Sequence, residues 1–121
     1  METKLSQEEI IRYTRNLLIP EIGMEGQRKI KNARVLLVGS GGLGSPVALY
    51  LAAAGIGQIG IVDFDVVELS NLNRQIIHAS DRIGMAKVQS AHQQITSRNP
   101  HVQVDPIQET LTAENAFNNV K

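Results

Sequence analysis

The fold of this chain is decided by the stretch Arg34-Val35-Leu36-Leu37-Val38-Gly39-Ser40-Gly41-Gly42-Leu43-Gly44. An apolar, β-branched run leads into a glycine cluster, and the cluster opens onto a helix-forming segment from Ser45 to Ala54. Glycines in a G-x-G-x-x-G pattern allow a tight turn, close approach of phosphate to the backbone, and close packing of helix on strand. The stretch therefore predicts a nucleotide-binding βαβ unit. Its candidate nucleotide-binding residues are Gly39, Gly41, Gly42 and Gly44.

A carboxylate occurs at the position where a nucleotide-binding βαβ unit has its ribose-binding acid. The second apolar run, Gln58 to Val62, ends at Asp63. Asp63 follows Gly44 by about 20 residues, the spacing at which a Rossmann-type unit binds the ribose hydroxyls. The residues after Asp63 must then decide which nucleotide is bound.

The segment that follows Asp63 is unusually polar. Three acids occur close together, and the run Ser70-Asn71-Leu72-Asn73-Arg74-Gln75 comes next. Asn and Ser side chains suit hydroxyl groups, and Arg74 suits a pair of phosphate oxygens. Lys87 lies in the first turn of a predicted helix from Ala86 to Asn99, where a cation is unfavourable next to the helix dipole unless it meets an anion. The candidate site residues of this part are Asp63, Asp65, Ser70, Asn71, Asn73, Arg74, Gln75 and Lys87.

The remaining segments of the chain predict further helices and a third strand. Ser6-Gln7-Glu8-Glu9 is a capping box that begins a helix carrying Arg12 and Arg15 and ending at Pro20. Further predicted elements are a short helix at 27–32, a third strand at 102–107 and a helix beginning at Leu111. We expect a Rossmann-like parallel sheet with crossover helices, preceded by N-terminal helices. Residues 1–33 would form those helices and residues 34–121 the βαβ nucleotide-binding core.

Composition narrows the class of protein. The chain has 121 residues, 42% of them hydrophobic and 20% charged, with a formal net charge of zero. We therefore expect one globular domain in the cytoplasm, with neither nucleic acid nor a membrane as primary partner. The sequence holds no cysteine, which excludes a disulfide, a thiolate nucleophile and a Cys-ligated zinc within these residues. The three histidines lack metal-ligand spacing, so we expect no metal site here.

Several motifs together carry a family resemblance. They are Arg12-Tyr13-Thr14-Arg15-Asn16, Gly39-Ser40-Gly41-Gly42-Leu43-Gly44-Ser45, Asp63-Phe64-Asp65 and Asn71-Leu72-Asn73-Arg74-Gln75. With these motifs in order, the sequence resembles the ubiquitin-activating-enzyme-like adenylyltransferases of the ThiF type over essentially its whole length. The bacterial enzymes that activate sulfur-carrier proteins for molybdopterin or thiamin synthesis are the most similar. One departure is Asn73, where those bacterial enzymes usually have Gln and eukaryotic activating enzymes have Asn.

The resemblance implies ATP-dependent adenylation of the C-terminal Gly-Gly carboxylate of a ubiquitin-like sulfur-carrier protein. It places Gly41 and Gly42 against the nucleotide, Asp63 on the ribose, and 70–74 along the ATP site. Lys87 would contact phosphate. Because the carrier's own carboxylate attacks the α-phosphate, the protein needs cations and oriented amides and no nucleophile of its own.

The resemblance also implies a homodimer. It matches Arg15 to an arginine that reaches the ATP bound by the opposite subunit, and it leaves Arg12 a structural role. The expected catalytic cations are thus Arg15, Arg74 and Lys87.

The family's later half carries a magnesium-binding Asp, two Cys-x-x-Cys pairs for zinc, and the carrier-binding surface. None of these occurs in this sequence, so we expect an incomplete fold, the N-terminal part of a longer adenylation domain. The expected cofactors are ATP and Mg²⁺, with the magnesium ligand and any Zn²⁺ site in the remaining part.

Two alternatives stay open. An NAD(P)-dependent oxidoreductase domain would explain the glycine stretch and Asp63 equally well, but would not require the polar run, Lys87 or the Arg12/Arg15 helix. A non-catalytic partner half of a heterodimeric activating enzyme is the second alternative. Such halves tend to lose the cations that handle phosphate, and this chain keeps all three.

Overall fold

The computed structural model of this protein describes residues 4–39 and 44–109. Three parallel strands form one sheet in the order β1 (Arg34–Val38), β2 (Gln58–Val62) and β3 (Gln103–Ile107). The register aligns Val38 with Val62 and Val62 with Ile107. All three strands therefore end level, and their carboxyl ends form a single edge of the sheet.

Five α-helices surround these strands within the described ranges. The helices α1 (Gln7–Arg12), α2 (Thr14–Leu17) and α3 (Gly23–Asn32) precede the sheet, α4 (Gly44–Ala54) connects β1 to β2, and α5 (Lys87–Arg98) connects β2 to β3. The α/β class with a parallel sheet and crossover helices is confirmed. The helix predicted from Leu111 falls outside the described residues. No helix among those described is both long and apolar enough to span a bilayer.

The amino-terminal segment differs from the prediction of one helix up to Pro20. The capping box is present: the Ser6 hydroxyl accepts from the Glu9 amide (3.1 Å), and the Glu9 carboxylate accepts from the Ser6 amide (2.9 Å). The helix is interrupted at Tyr13, whose backbone leaves the helical region at φ −100° and ψ 16°. Tyr13 is buried, and its hydroxyl accepts a hydrogen bond from Asn99 Nδ2 (2.7 Å). The helix is thus interrupted at a residue that makes a long-range contact. The periodicity of apolar residues along the sequence cannot predict such a contact.

The core lies between the sheet and the pair α4 and α5. Ile59 and Ile61 alternate along β2 and so present their side chains to one face. Alanines on both helices allow them to lie close to each other and to the strands. The buried cluster consists of Ala48, Ala52, Ile59, Ile61, Ile77, Val88, Ala91, Ile95, Val102 and Val104.

Buried amide side chains satisfy the carboxyl end of α4. The last carbonyl groups of a helix have no partner within the helix. Asn99 Nδ2 donates to the carbonyl of Ala52 (2.8 Å), and Gln27 Nε2 donates to that of Ala54 (2.8 Å). Both amides are almost fully buried. The end of α4 is therefore joined to α3 and to the residue after α5.

The carboxyl end of α5 is held in a similar way. Arg12 Nη1 donates to the carbonyl of Arg98 (3.0 Å). With the Tyr13–Asn99 hydrogen bond, this contact packs the α1–α2 junction against the carboxyl ends of α4 and α5. We call this region the far end, because the sheet edge described below lies at the opposite ends of both helices.

A buried ion pair attaches α1 to α3. The Glu9 carboxylate, 3% exposed, accepts from Lys31 Nζ at 2.7 Å. Burial raises the pKa of Glu9, but hydrogen bonds from Lys31 and Ser6 and the positive charge of Lys31 outweigh that effect. The pKa therefore lies below its ordinary value of 4.5.

This lowered pKa predicts an acid-dependent contribution to stability. The carboxylate binds its proton less readily when folded, so its contribution is present above about pH 4.5 and is lost as pH falls through the lower folded pKa. We expect Glu9→Gln to reduce the free energy of unfolding at about pH 7, and the difference from wild type to shrink towards about pH 3. Urea unfolding across this range measures both. Glu21→Gln, at an exposed glutamate, is the control; an equal pH dependence there would contradict the assignment to Glu9.

Candidate nucleotide-binding site

Two of the predicted site residues lie directly at the carboxyl edge of the sheet. Gly39 follows β1, and its amide donates to the carbonyl of Val62 at 2.7 Å. Asp63 follows β2, and its amide donates to the carbonyl of Ile107 at 3.0 Å. Ligands of open parallel sheets bind outside the carboxyl ends of the strands. The glycine turn and the predicted ribose-binding acid are thus neighbours at such an edge.

At two positions of the turn, the structure shows a steric reason why the residue is glycine. Gly39 has φ +85°, a conformation that L side chains rarely adopt. A Cβ atom on Gly44 would stand 2.5 Å from the carbonyl oxygen of Gly39, so the start of α4 can approach the end of β1 only without a side chain. Gly41 and Gly42, also predicted to contact nucleotide, lie outside the described residues.

The polar segment folds back between β2 and α5. Asp63 Oδ1 accepts from the amide of Asp65 (2.9 Å), which turns the chain directly after β2. Val66 then forms an antiparallel bridge with Ala86, and the Val67 amide donates to the carbonyl of Met85 (2.8 Å). The loop therefore begins at the end of β2 and returns to the start of α5.

Lys87 is the first residue of α5 and is buried, with its side chain 9% exposed. Its ammonium lies 3.8 Å from the Asp65 carboxylate, and its amide donates to the Asp65 carbonyl at 2.9 Å. The anion expected beside Lys87 is therefore at least partly supplied by the protein. At 3.8 Å the ion pair is longer than a hydrogen bond, and Lys87 Nζ makes no hydrogen bond within the described part of the chain, so it retains donors for a ligand.

The predicted residues between Ser70 and Arg74 divide into structural and available groups. Asn71 is buried, and its side-chain oxygen accepts from the Glu68 amide at 2.9 Å, which closes a short 3-10 turn. Ser70, Asn73 and Arg74 are exposed. Arg74 Nη1 donates a hydrogen bond to the Ser70 carbonyl at 3.2 Å. The rest of its guanidinium can face a ligand.

Gln75 has an unusual environment. The residue is 4% exposed, and its Oε1 atom is buried without a hydrogen-bond partner among the described residues. Buried side-chain amides are nearly always paired, because an unpaired one loses the free energy of its hydration. Gln75 thus has unused hydrogen-bonding capacity at the position where the sequence predicts nucleotide contact.

Two residues that sequence reasoning did not select connect this loop to the helices. Ser45, in the first turn of α4, accepts from the Ile77 amide at 2.7 Å. Arg82 Nη2 donates to the Ile77 carbonyl at 3.1 Å. The local sequence predicts neither contact, because each depends on a residue that only folding brings near.

Arg15 is distant from the site of its own chain. It is exposed on α2, two residues after Tyr13, and so lies at the far end. Lys87 begins α5, and the 12 residues of that helix span about 18 Å. The structure does not bring Arg15 together with Arg74 and Lys87 within one chain.

Sequence comparison finds a family and its named members. Residues 13–121 match the ThiF family. The chain is 54% identical over 112 residues to the probable adenylyltransferase/sulfurtransferase MoeZ of Mycobacterium tuberculosis, and 56% identical over 114 residues to the adenylyltransferase and sulfurtransferase UBA4 of Saccharomyces cerevisiae. Each match covers 93% of this chain, but only 29% of MoeZ and 26% of UBA4. The chain thus spans less than a third of these relatives.

Structure comparison agrees with the sheet described above. The Escherichia coli tRNA N6-threonylcarbamoyladenosine dehydratase TcdA, solved in complex with ATP, superimposes with a TM-score of 0.90 at 30% identity. The match covers 98% of this chain and 48% of TcdA. TcdA has also been solved in complex with AMP.

The contact between Gly39 and Gly44 yields a stability prediction. Gly44→Ala should lower the free energy of unfolding by about 1–3 kcal/mol, because the new methyl group meets a backbone oxygen that cannot rotate away. Gly26→Ala is the matched control: its Cβ would lie 3.3 Å from the Ile22 side chain and an ordinary 3.7 Å from the Glu21 carbonyl oxygen, within a helix that favours alanine. Denaturant unfolding compares the two. Equal losses would show that the Gly39–Gly44 contact has no special weight.

Proposed function

The chain belongs to the ThiF family, and we propose that it is the ATP-binding part of an enzyme that adenylates the C-terminal Gly-Gly carboxylate of a ubiquitin-like sulfur-carrier protein. The carrier would be of the molybdopterin or thiamin type. The observations that carry the proposal are that Asp63 follows β2 at the sheet edge beside the glycine turn, that Lys87 is buried next to Asp65, and that the intervening loop holds the exposed Arg74 and the unpaired Gln75 Oε1. Relatives named adenylyltransferase and sulfurtransferase, more than half identical, support the same activity.

The nucleoside would be bound by the oxygen- and amide-bearing side chains. Asp63 would accept hydrogen bonds from the ribose hydroxyls, as carboxylates at this position do in Rossmann-type units. The Gln75 side chain, lacking a partner in the described structure, suits a hydroxyl or amino group of the nucleotide. Ser70 and Asn73 are exposed at the same loop and add further donors and acceptors.

The phosphates would be bound by cations and by the amides of the glycine turn. Arg74 and Lys87 flank the edge, and the glycine turn, with Gly41 and Gly42, would supply backbone amides at the start of α4. In the reaction, a carrier carboxylate oxygen attacks the α-phosphorus, and the bond to pyrophosphate breaks as charge passes to that leaving group. Neutralising this charge and positioning the reactants are the main catalytic tasks.

Mg²⁺ would accompany ATP and neutralise phosphate charge. The described residues contain no cluster of metal-ligating side chains, and Asp65, which is nearby, already faces Lys87. We therefore assign the magnesium ligand, and any zinc site, to parts of the protein beyond the described residues.

We further propose a homodimer in which Arg15 completes the partner's site. The helix α4 contains no charged residue, although Val47 and Tyr50 on its outer side are 43% and 76% exposed. A helix that is apolar all round is normally covered. A two-fold axis that pairs two α4 helices antiparallel would cover this surface. It would also carry the far end of one chain, with Arg15, towards the glycine turn of the other.

ATP–pyrophosphate exchange in the complete protein tests the activity. We expect exchange that depends on one carrier ending in Gly-Gly. Arg74→Ala should reduce the rate at least 100-fold, on the order of the loss when a group that stabilises transition-state charge is removed. Arg34→Ala, at an exposed arginine that begins β1 at the opposite end of the strand, should leave exchange unchanged.

Other outcomes would identify the alternatives. Saturable NADH binding without ATP binding would indicate an oxidoreductase domain. ATP binding by a folded dimer that exchanges no pyrophosphate with any carrier would indicate a non-catalytic partner. Near-normal exchange by Arg74→Ala would show that the role proposed for Arg74 is wrong, but it would not contradict the proposed adenylation activity.

Mixing two inactive variants tests the action of Arg15 across subunits. In a dimer of one Arg15→Ala and one Lys87→Ala subunit, one site keeps both residues and the other loses both. Random mixing makes about half of the dimers mixed, so we expect recovery of about one quarter of wild-type activity. If Arg15 acts within its own chain, every site in the mixture carries one lesion and no activity returns. Mixing Arg74→Ala with Lys87→Ala, two residues of the same site, is the negative control.

A further inference from the structure

The peptide groups on both sides of Ile77 are held by side chains from two directions. Its amide donates to Ser45 Oγ at 2.7 Å, and its carbonyl accepts from Arg82 Nη2 at 3.1 Å. Ile77 itself is fully buried in the core cluster. This loop carries Arg74 and Gln75, which precede Ile77 by three and two residues.

Arg82 transmits this constraint to α5. Its Nε donates to Ser90 Oγ at 2.8 Å, and its Nη2 also lies 3.2 Å from Gln94 Oε1. Ser90 in turn is 2.7 Å from His78 Nδ1. The Arg82 side chain is 11% exposed, and the carboxylate of Asp81 is 3.8 Å away. Burying an arginine costs desolvation free energy that an apolar side chain would not. What Arg82 adds is several directed hydrogen bonds from one planar group.

These contacts form a bridge between the helix starts at the proposed site. Ser45 lies in the first turn of α4, directly after the glycine turn, and Ser90 lies in the first turn of α5 with Lys87. The chain of contacts Ser45–Ile77–Arg82–Ser90 joins the two turns through the loop. It therefore ties the loop segment that follows Arg74 to the start of α4 and to the start of α5, where Lys87 lies.

We propose that Arg82 is a positioning residue for triphosphate recognition. It would not touch the nucleotide. It would hold the Ile77 segment against α5 so that Arg74 and Lys87 meet the phosphate groups together with the glycine turn. The proposal rests on the proposed function only in assigning a nucleoside triphosphate to the site. Arg82 should consequently influence phosphate binding much more than nucleoside binding.

Binding of ATP and of adenosine to the complete protein, measured by calorimetry, tests this role. We expect Arg82→Met, which retains an apolar stem, to weaken ATP binding about tenfold or more, because small displacements of binding groups have effects of this size. Adenosine binding should change less than about twofold. Arg82→Lys, which can restore one hydrogen bond, should recover part of the ATP affinity, and Ser90→Ala should produce a smaller loss of the same kind.

Asn99→Ala is the matched control for general destabilisation. It removes hydrogen bonds of a buried polar residue at the far end, where α4 and α5 are joined away from the site. We expect it to lower the free energy of unfolding at least as much as Arg82→Met and to leave the ratio of ATP to adenosine affinity unchanged. If Asn99→Ala changes that ratio equally, or if Arg82→Met weakens both ligands alike or neither, the positioning role is wrong.

The same measurements separate this proposal from the proposed activity. Wild-type protein that prefers ATP to adenosine but performs no pyrophosphate exchange would contradict adenylation, and the affinity ratio of Arg82→Met would still decide the role of Arg82. Wild-type protein that binds ATP no better than adenosine would overturn both proposals.

Discussion

The constraint on which this structure depends is that the last carbonyl groups of α4 and α5 have no hydrogen-bond partner within their own helices. A buried helix end without hydrogen-bond donors is strongly unfavourable. Here the donors are the side chains of Asn99, Gln27 and Arg12, so satisfying the helices also attaches the amino-terminal segment to the α/β layers. With the far end closed in this way, the amino ends of both helices lie at the carboxyl edge of the sheet.

At that edge, polar side chains have two different tasks. Asn71 and Ser45 use their side chains to hold loop backbone, and Asp65 partly compensates the charge of Lys87. Arg74 and Gln75 retain donors or acceptors that the described structure does not use. In the proposed site, cations held in place before a ligand arrives would reduce the free energy of reorganisation on binding.

The order of elements was predictable because each depends on local sequence. Apolar runs and glycines predicted β1, α4, β2, α5 and β3 nearly to the residue, and the Ser6–Glu9 capping box predicted the start of α1. The single helix predicted up to Pro20 was wrong, because the buried contact of Tyr13 with Asn99 is made by residues 86 positions apart. Lys87 was correctly placed at a helix start, but Asp65, an anion beside it, became apparent only with the folded loop.

By itself the sequence determined the fold class, and it predicted a nucleotide-binding glycine turn and the candidate residues from Asp63 to Lys87. These follow from periodicity and spacing, which are properties of neighbouring residues. Only the tertiary structure decided that Asn71 is structural, that Arg82 and Ser45 hold the Ile77 segment from two sides, and that Arg15 lies at the far end from its own site. Each of these depends on hydrogen bonds or distances between residues far apart in the chain, and such pairs leave no periodic signal in the sequence.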